Sequence, residues 1–142
     1  LQTQIANNSD YWSLQVTIQL RSAQAWTLYA EGNTEQSLII MSEAAALELS
    51  TQKHPITPGA IIPANELFGD MLMQEGLFIK AIESYEASLS RNPKRLNTMI
   101  GLINAHKAIG NTDAINTYYE NIKNQISDSA YERKALMKLL ST

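Results

Sequence analysis

Three glycines constrain this chain more than any other feature. EGNTEQ (Glu31–Gln36) and IGNTDA (Ile109–Ala114) share the order Gly-Asn-Thr-acid, and Gly76 in QEGLFI stands in the same relation to its flanks. Glycine closes a helix by taking the left-handed conformation that other residues resist. Asn or Thr then caps the helix that follows, and an acid in its first turn meets the positive end of the helix dipole. Each glycine thus marks a tight turn between two helices. Gly76 and Gly110 lie 34 residues apart, and Gly32 and Gly76 lie 44 apart. The ten extra residues of the second interval fall in the loop STQKHPITPGAI. A turn signature that recurs in this way is expected of consecutive helix pairs, with one insertion between the first two.

Between the turns, breakers are sparse and Ala, Leu, Glu, Gln and Ile are favoured, with no useful run of β-type alternation. The expected fold class is all-α. Helices are predicted over about Ser9 to Ala30, Thr34 to Leu49, Pro63 to the turn at Gly76, Phe78 to Arg91, Lys94 to Ile109, and Thr112 to Gln125. Pro63 suits a first helical position because its φ is already fixed. Pro93 ends the fourth helix, since the residue before a proline avoids the α region. Leu1 and Ile5, four apart, suit the tail of a preceding helix. A last helix is predicted from Ser127 or Ser129, where Ser129 and Glu132 match a capping box. It sets Tyr131, Ala135, Leu136, Leu139 and Leu140 against Glu132, Arg133, Lys134 and Lys138. That pattern suits a helix covering the end of a stack, with a partner-docking or membrane-surface helix as the alternative.

The middle stretch, Ile62 to Arg95, resembles the tetratricopeptide repeat, whose period is also about 34 residues. Gly69, Leu72, Gly76, Phe78, Ala81, Tyr85 and Pro93 carry the likeness. In that family small residues stand where paired helices cross, as Gly69 and Ala81 do here, and aromatics such as Phe78 and Tyr85 fill the space between helices. Asn65 departs, because an aromatic is usual there. The unit from Leu96 is weaker: Ile103 replaces the small residue, His106 replaces the aromatic, and its turn is one residue shorter. The first pair is weaker still. YWSLQVTIQLRSAQAW (Tyr11–Trp26), EAAALELSTQKHPITPG (Glu43–Gly59) and PANELFGDML (Pro63–Leu72) are similar, in that order, to the C-terminal portion of long bacterial tetratricopeptide proteins.

The resemblance implies one domain, an α-solenoid wound as a right-handed superhelix of antiparallel pairs. Its parts are a divergent repeat at 9–49, a Pro-rich insertion at 50–62, a typical repeat at 63–95, a divergent one at 96–126 and a capping helix at 127–142. The first helix of each pair then lines a concave groove that holds a protein or peptide segment. Carried over to this chain, the groove positions are Gln19, Ser22, Trp26 and Tyr29; Glu66, Asp70, Met73 and Gln74; and Asn97, Asn104 and Lys107. The expected peptide-binding set is Trp26, Tyr29, Glu66, Asp70, Met73, Asn104 and Lys107. Glu66, Asp70 and Met73 share one helix face by their spacing. Aromatics beside carboxylates and amides suit a basic or amphipathic segment. The competing reading is that Trp26 and Tyr29 pack against a neighbouring helix. A clamp for a C-terminal carboxylate needs several Lys, Arg and Asn. Here only Asn104 and Lys107 match, and Glu66 and Asp70 have the wrong sign.

Other chemistries find less support. The chain has 142 residues, 44% of them hydrophobic and 18% charged, which suits one globular domain with a core. Net charge is −3 and pI about 5.3, so no overall positive field draws nucleic acid. Without Cys there is neither a disulfide nor a thiolate metal site. His54 and His106 are the only histidines, and no metal-ligand spacing joins them. No nucleophile elbow or phosphate loop occurs, so neither a catalytic residue nor a cofactor is expected. No apolar run suits membrane insertion. The start, LQTQIANNSD, lacks an initiator Met and the shape of a signal peptide, and reads as an excised piece of a longer chain or a processed product. The insertion loop around His54, Pro55 and Pro58 reads either as a functional element or as a spacer between helices. Three functional readings follow: a scaffold binding a peptide in its groove, a helical or regulatory part of an enzyme completed by the His54 loop, and a self-association module.

Overall fold

The structure, a computed structural model, describes residues 2–51 and 62–127. The insertion-loop residues His54, Pro55 and Pro58 and the predicted terminal helix beyond residue 127 lie outside the described residues. Among the described residues all regular structure is α-helical: α1 (Gln2–Ala30), α2 (Thr34–Ser50), α3 (Ala64–Gln74), α4 (Phe78–Arg91), α5 (Leu96–Ala108) and α6 (Thr112–Ser127). No helix among them is long and apolar enough to cross a membrane.

The glycine turns form as their chemistry requires. Gly32, Gly76 and Gly110 all have positive φ, at 83°, 70° and 73°. Around each, two backbone bonds close the helix end in the same way. Asn33, Leu77 and Asn111 N–H groups reach back to Leu28, Leu72 and His106 carbonyls at 2.9–3.0 Å, while the glycine N–H groups bond Tyr29, Met73 and Lys107 carbonyls. The caps of the following helices differ. The Asn111 side chain accepts the Ala114 N–H at 3.2 Å, whereas Asn33 makes no side-chain cap bond.

Several predicted boundaries are corrected. α1 begins at Gln2, so Ile5 belongs to the same helix as Ser9 and not to the tail of an earlier one. No Gly or Pro separates them, and a lone Ser does not stop a helix that can continue. Pro63 is extended, with ψ of 140°, and caps α3 from outside rather than opening it. Arg95 is likewise extended before α5, so that helix starts at Leu96 and not Lys94.

Consecutive helices pack antiparallel. Arg21 pairs with Glu43 across α1 and α2, the two standing equally far from Gly32. Between α3 and α4, Ser84 Oγ donates to the Asn65 carbonyl at 2.8 Å. Between α5 and α6, Gln125 Nε2 donates to the Lys94 carbonyl at 2.7 Å, just ahead of α5. The core is a row of three clusters rather than one centre. Met41, Ala44, Ala25 and Met71 form the first, Leu72, Ala81, Tyr85 and Leu102 the second, and Met99, Ile103 and Ile122 the third. Leu38 and Phe68 join the first to the second, and Leu89 and Tyr118 join the second to the third.

A polar tie holds the joint between the first two pairs. Glu48, on α2 and largely buried, accepts the Ala64 and Asn65 N–H groups at 2.8 and 3.0 Å. It supplies the acceptor that Pro63 cannot, and places negative charge at the α3 N-terminus. Asn65 completes the tie, donating through Nδ2 to Glu48 and to the Ala45 carbonyl. Asn65 thus makes the joint between α2 and α3 a hydrogen-bonded one. His106 stacks on Tyr118 with ring centroids 5.9 Å apart, a ring contact between α5 and α6.

Candidate functional site

Gly69 on α3 and Gly101 on α5 let those helices close on the ring of Tyr85. A Cβ built at either glycine would stand 2.5 Å from a ring carbon. The ring is therefore wedged between two backbones, and its hydroxyl emerges where α3 faces α5. There it donates to Asp70 Oδ1 at 2.6 Å. Burial raises the Tyr85 phenol well above its ordinary value, and the bond to Asp70 adds to that. The phenol is a permanent neutral donor at any ordinary pH.

Above this contact lies a solvent-open pocket of about 420 Å³. Trp26 from α1, Asp70, Met73 and Gln74 from α3, and Asn97, Ile100 and Asn104 from α5 line it, with Tyr85 and Gly101. Four residues of the expected set, Trp26, Asp70, Met73 and Asn104, thus come together. Asp70, Gln74, Asn97 and Asn104 are exposed, and Trp26 and Met73 half-buried. Although the Asp70 side chain reaches solvent, the pocket walls strip part of its hydration, which raises its carboxyl above the usual range. The Tyr85 bond opposes that shift.

The other expected residues stand elsewhere. Glu66 is only 4% exposed, and its carboxylate is taken from within. Arg95 Nε and Nη2 donate to its two oxygens at 2.6 and 2.9 Å, and Thr98 Oγ1 donates to Oε2. It is a joint between α3 and α5 and does not face a ligand. Its bond also raises the Arg95 guanidinium above its ordinary value. Ser22 is buried and bonds the Ile18 carbonyl of its own helix. Tyr29 meets Trp26 edge to face at 5.6 Å, and its hydroxyl donates to Glu75 at 2.5 Å, which raises the phenol. Lys107 lies over the Tyr119 ring, 5.8 Å from its centroid, on the α6 side of α5.

Sequence reasoning gave Tyr85 only a filling role and did not single out Gly101. A mid-helix glycine beside an aromatic on the preceding helix was the available signal. Among the described residues no three His, Cys, Asp or Glu side chains converge as metal ligands. No family model matches the chain, and no curated protein does either.

Proposed function

We propose that the helix pairs continue as a tetratricopeptide-like α-solenoid, with α1, α3 and α5 lining its concave side, and that this groove holds a peptide or protein segment. One observation carries the reading: a single pocket draws side chains from the first helix of all three pairs. Its groups are one carboxylate, three amides, an indole and two apolar side chains. They suit recognition of an extended chain, whose backbone the exposed amides of Asn97 and Asn104 can bond from either end of their dipoles. We read the domain as a non-catalytic scaffold.

The test is hydrogen exchange on the protein with peptides selected from a displayed random library. Bound peptide is expected to slow exchange in residues 66–74 and 97–107, and Asn97→Ala with Asn104→Ala to abolish binding. Protection confined to α2, α4 and α6 would overturn the reading.

A specific observation favours a second role, self-association. Trp12, Val16 and Leu20 recur every four residues on α1 and are 50%, 65% and 66% exposed. α1 contains two charged residues, Asp10 and Arg21, and Arg21 is paired with Glu43. A second copy laid on this face meets little like charge, so the face suits a symmetric dimer.

A further inference from the structure

Among the described residues Asp70 is the one charged group lining the pocket, and although Arg95 acts on it from a distance, no ion pair engages it. Glu66 and Asp70 stand one turn apart on α3, but only Glu66 receives a cation: both its oxygens take Arg95. Among the described residues no Lys, Arg or His pairs with Asp70. Among the described residues its hydrogen bond comes from Tyr85, whose neutral phenol orients the carboxylate without cancelling it. Because Gly69 and Gly101 hold the ring from two helices, that orientation is fixed in advance. A partly desolvated, pre-oriented and unpaired carboxylate is a receptor for one cation.

The walls say what kind of cation. Trp26, Met73 and Ile100 offer an apolar lining beside the carboxylate, and an indole face also attracts positive charge. A hydrated metal ion gains nothing from such walls, whereas a long aliphatic stem does. The volume of about 420 Å³ is at the small end for a ligand site, room for one long side chain. We propose that this pocket takes one basic side chain, lysine or arginine, of a bound peptide, its cation on Asp70 and its stem against Trp26 and Met73. This rests on the groove reading above. Tyr85 is then a positioning residue, acting through Asp70.

The experiment measures fluorescence polarisation with four labelled random-peptide pools that differ only in a fixed central residue: lysine, arginine, norleucine or glutamate. Both basic pools are expected to bind about tenfold or more tightly than the norleucine pool, as a charge-assisted contact at a partly buried site gives. Asp70→Asn should bring them down to the norleucine value, whereas Asp113→Asn on exposed α6, the same change in net charge, should not. Tyr85→Phe should reduce the preference without removing it, and added salt should shrink it in the wild type. The comparison of the two basic pools shows whether ammonium or guanidinium fits better. Equal binding of basic and norleucine pools, or a preference that survives Asp70→Asn, overturns the inference while leaving the groove reading standing. Failure of all four pools to bind overturns both.

Discussion

Gly101→Ala would set a methyl 2.5 Å from the Tyr85 ring, where Gly69 already backs it from α3. Alanine gains about 1 kcal/mol over glycine in a helix. Overpacking a closed site costs about 1–3 kcal/mol, and here the ring has no free side to move to. Urea unfolding should show Gly101→Ala less stable than wild type, where propensity alone predicts more. Asp70 allows a prediction of opposite sign. A carboxyl raised in the folded state binds its proton more tightly folded than unfolded. That group favours the fold in acid, and its contribution is lost as pH rises from the ordinary value of about 3.9 through the raised folded one. Burial drives the shift, Glu66 adds to it, and the Tyr85 bond and Arg95 oppose it. Asp70→Asn should therefore be at least as stable as wild type at neutral pH, with any advantage fading below about pH 4. Thermal unfolding across that range checks both halves. That Asp70 and Met73 share a helix face follows from their spacing, whereas Trp26 and Asn104 come only from the groove positions that the tetratricopeptide resemblance implies. Glu66 has the same spacing as Asp70, but its burial depends on Arg95, 29 residues away. No local pattern carries that.

At the scale of elements, α4 runs from Phe78 to Arg91 as the sequence alone predicts, because Gly76 and Pro93 bracket it with local chemistry. The start of α1 has no such bracket, so its extension back to Gln2 leaves no local mark in the sequence. The joints were not legible either, since they depend on polar side chains that meet across helices. They carry a testable cost. Glu48→Ala would leave the Ala64 and Asn65 N–H groups without their carboxylate at the buried start of α3. The expected loss is about 1–3 kcal/mol, the cost of stranding buried donors. Arg95→Ala is expected to cost more, about 3–5 kcal/mol, because it leaves the Glu66 charge buried and uncompensated. Chemical denaturation of the two variants orders them. Equal and small losses would show that the joints are incidental to the packing.

At the scale of the whole molecule, a core laid out in three linked clusters depends on contacts between successive helices. The exposed stripe on α1 predicts weak self-association. Light scattering over a wide concentration range should show a dimer that Val16→Glu with Leu20→Glu abolishes, and a wild type that stays monomeric throughout would dispose of that role. The successive pairs themselves follow from the glycine spacing, but the closeness of α3 to α5, which shapes the pocket and on which the proposed groove rests, turns on Tyr85 meeting two glycines at once. Nuclear Overhauser contacts from the Tyr85 ring protons test it most directly. Strong contacts to the α-protons of both Gly69 and Gly101 are predicted. Contacts to Gly69 alone would mean that α5 does not close on the first helix of the preceding pair, and the groove as described would not exist.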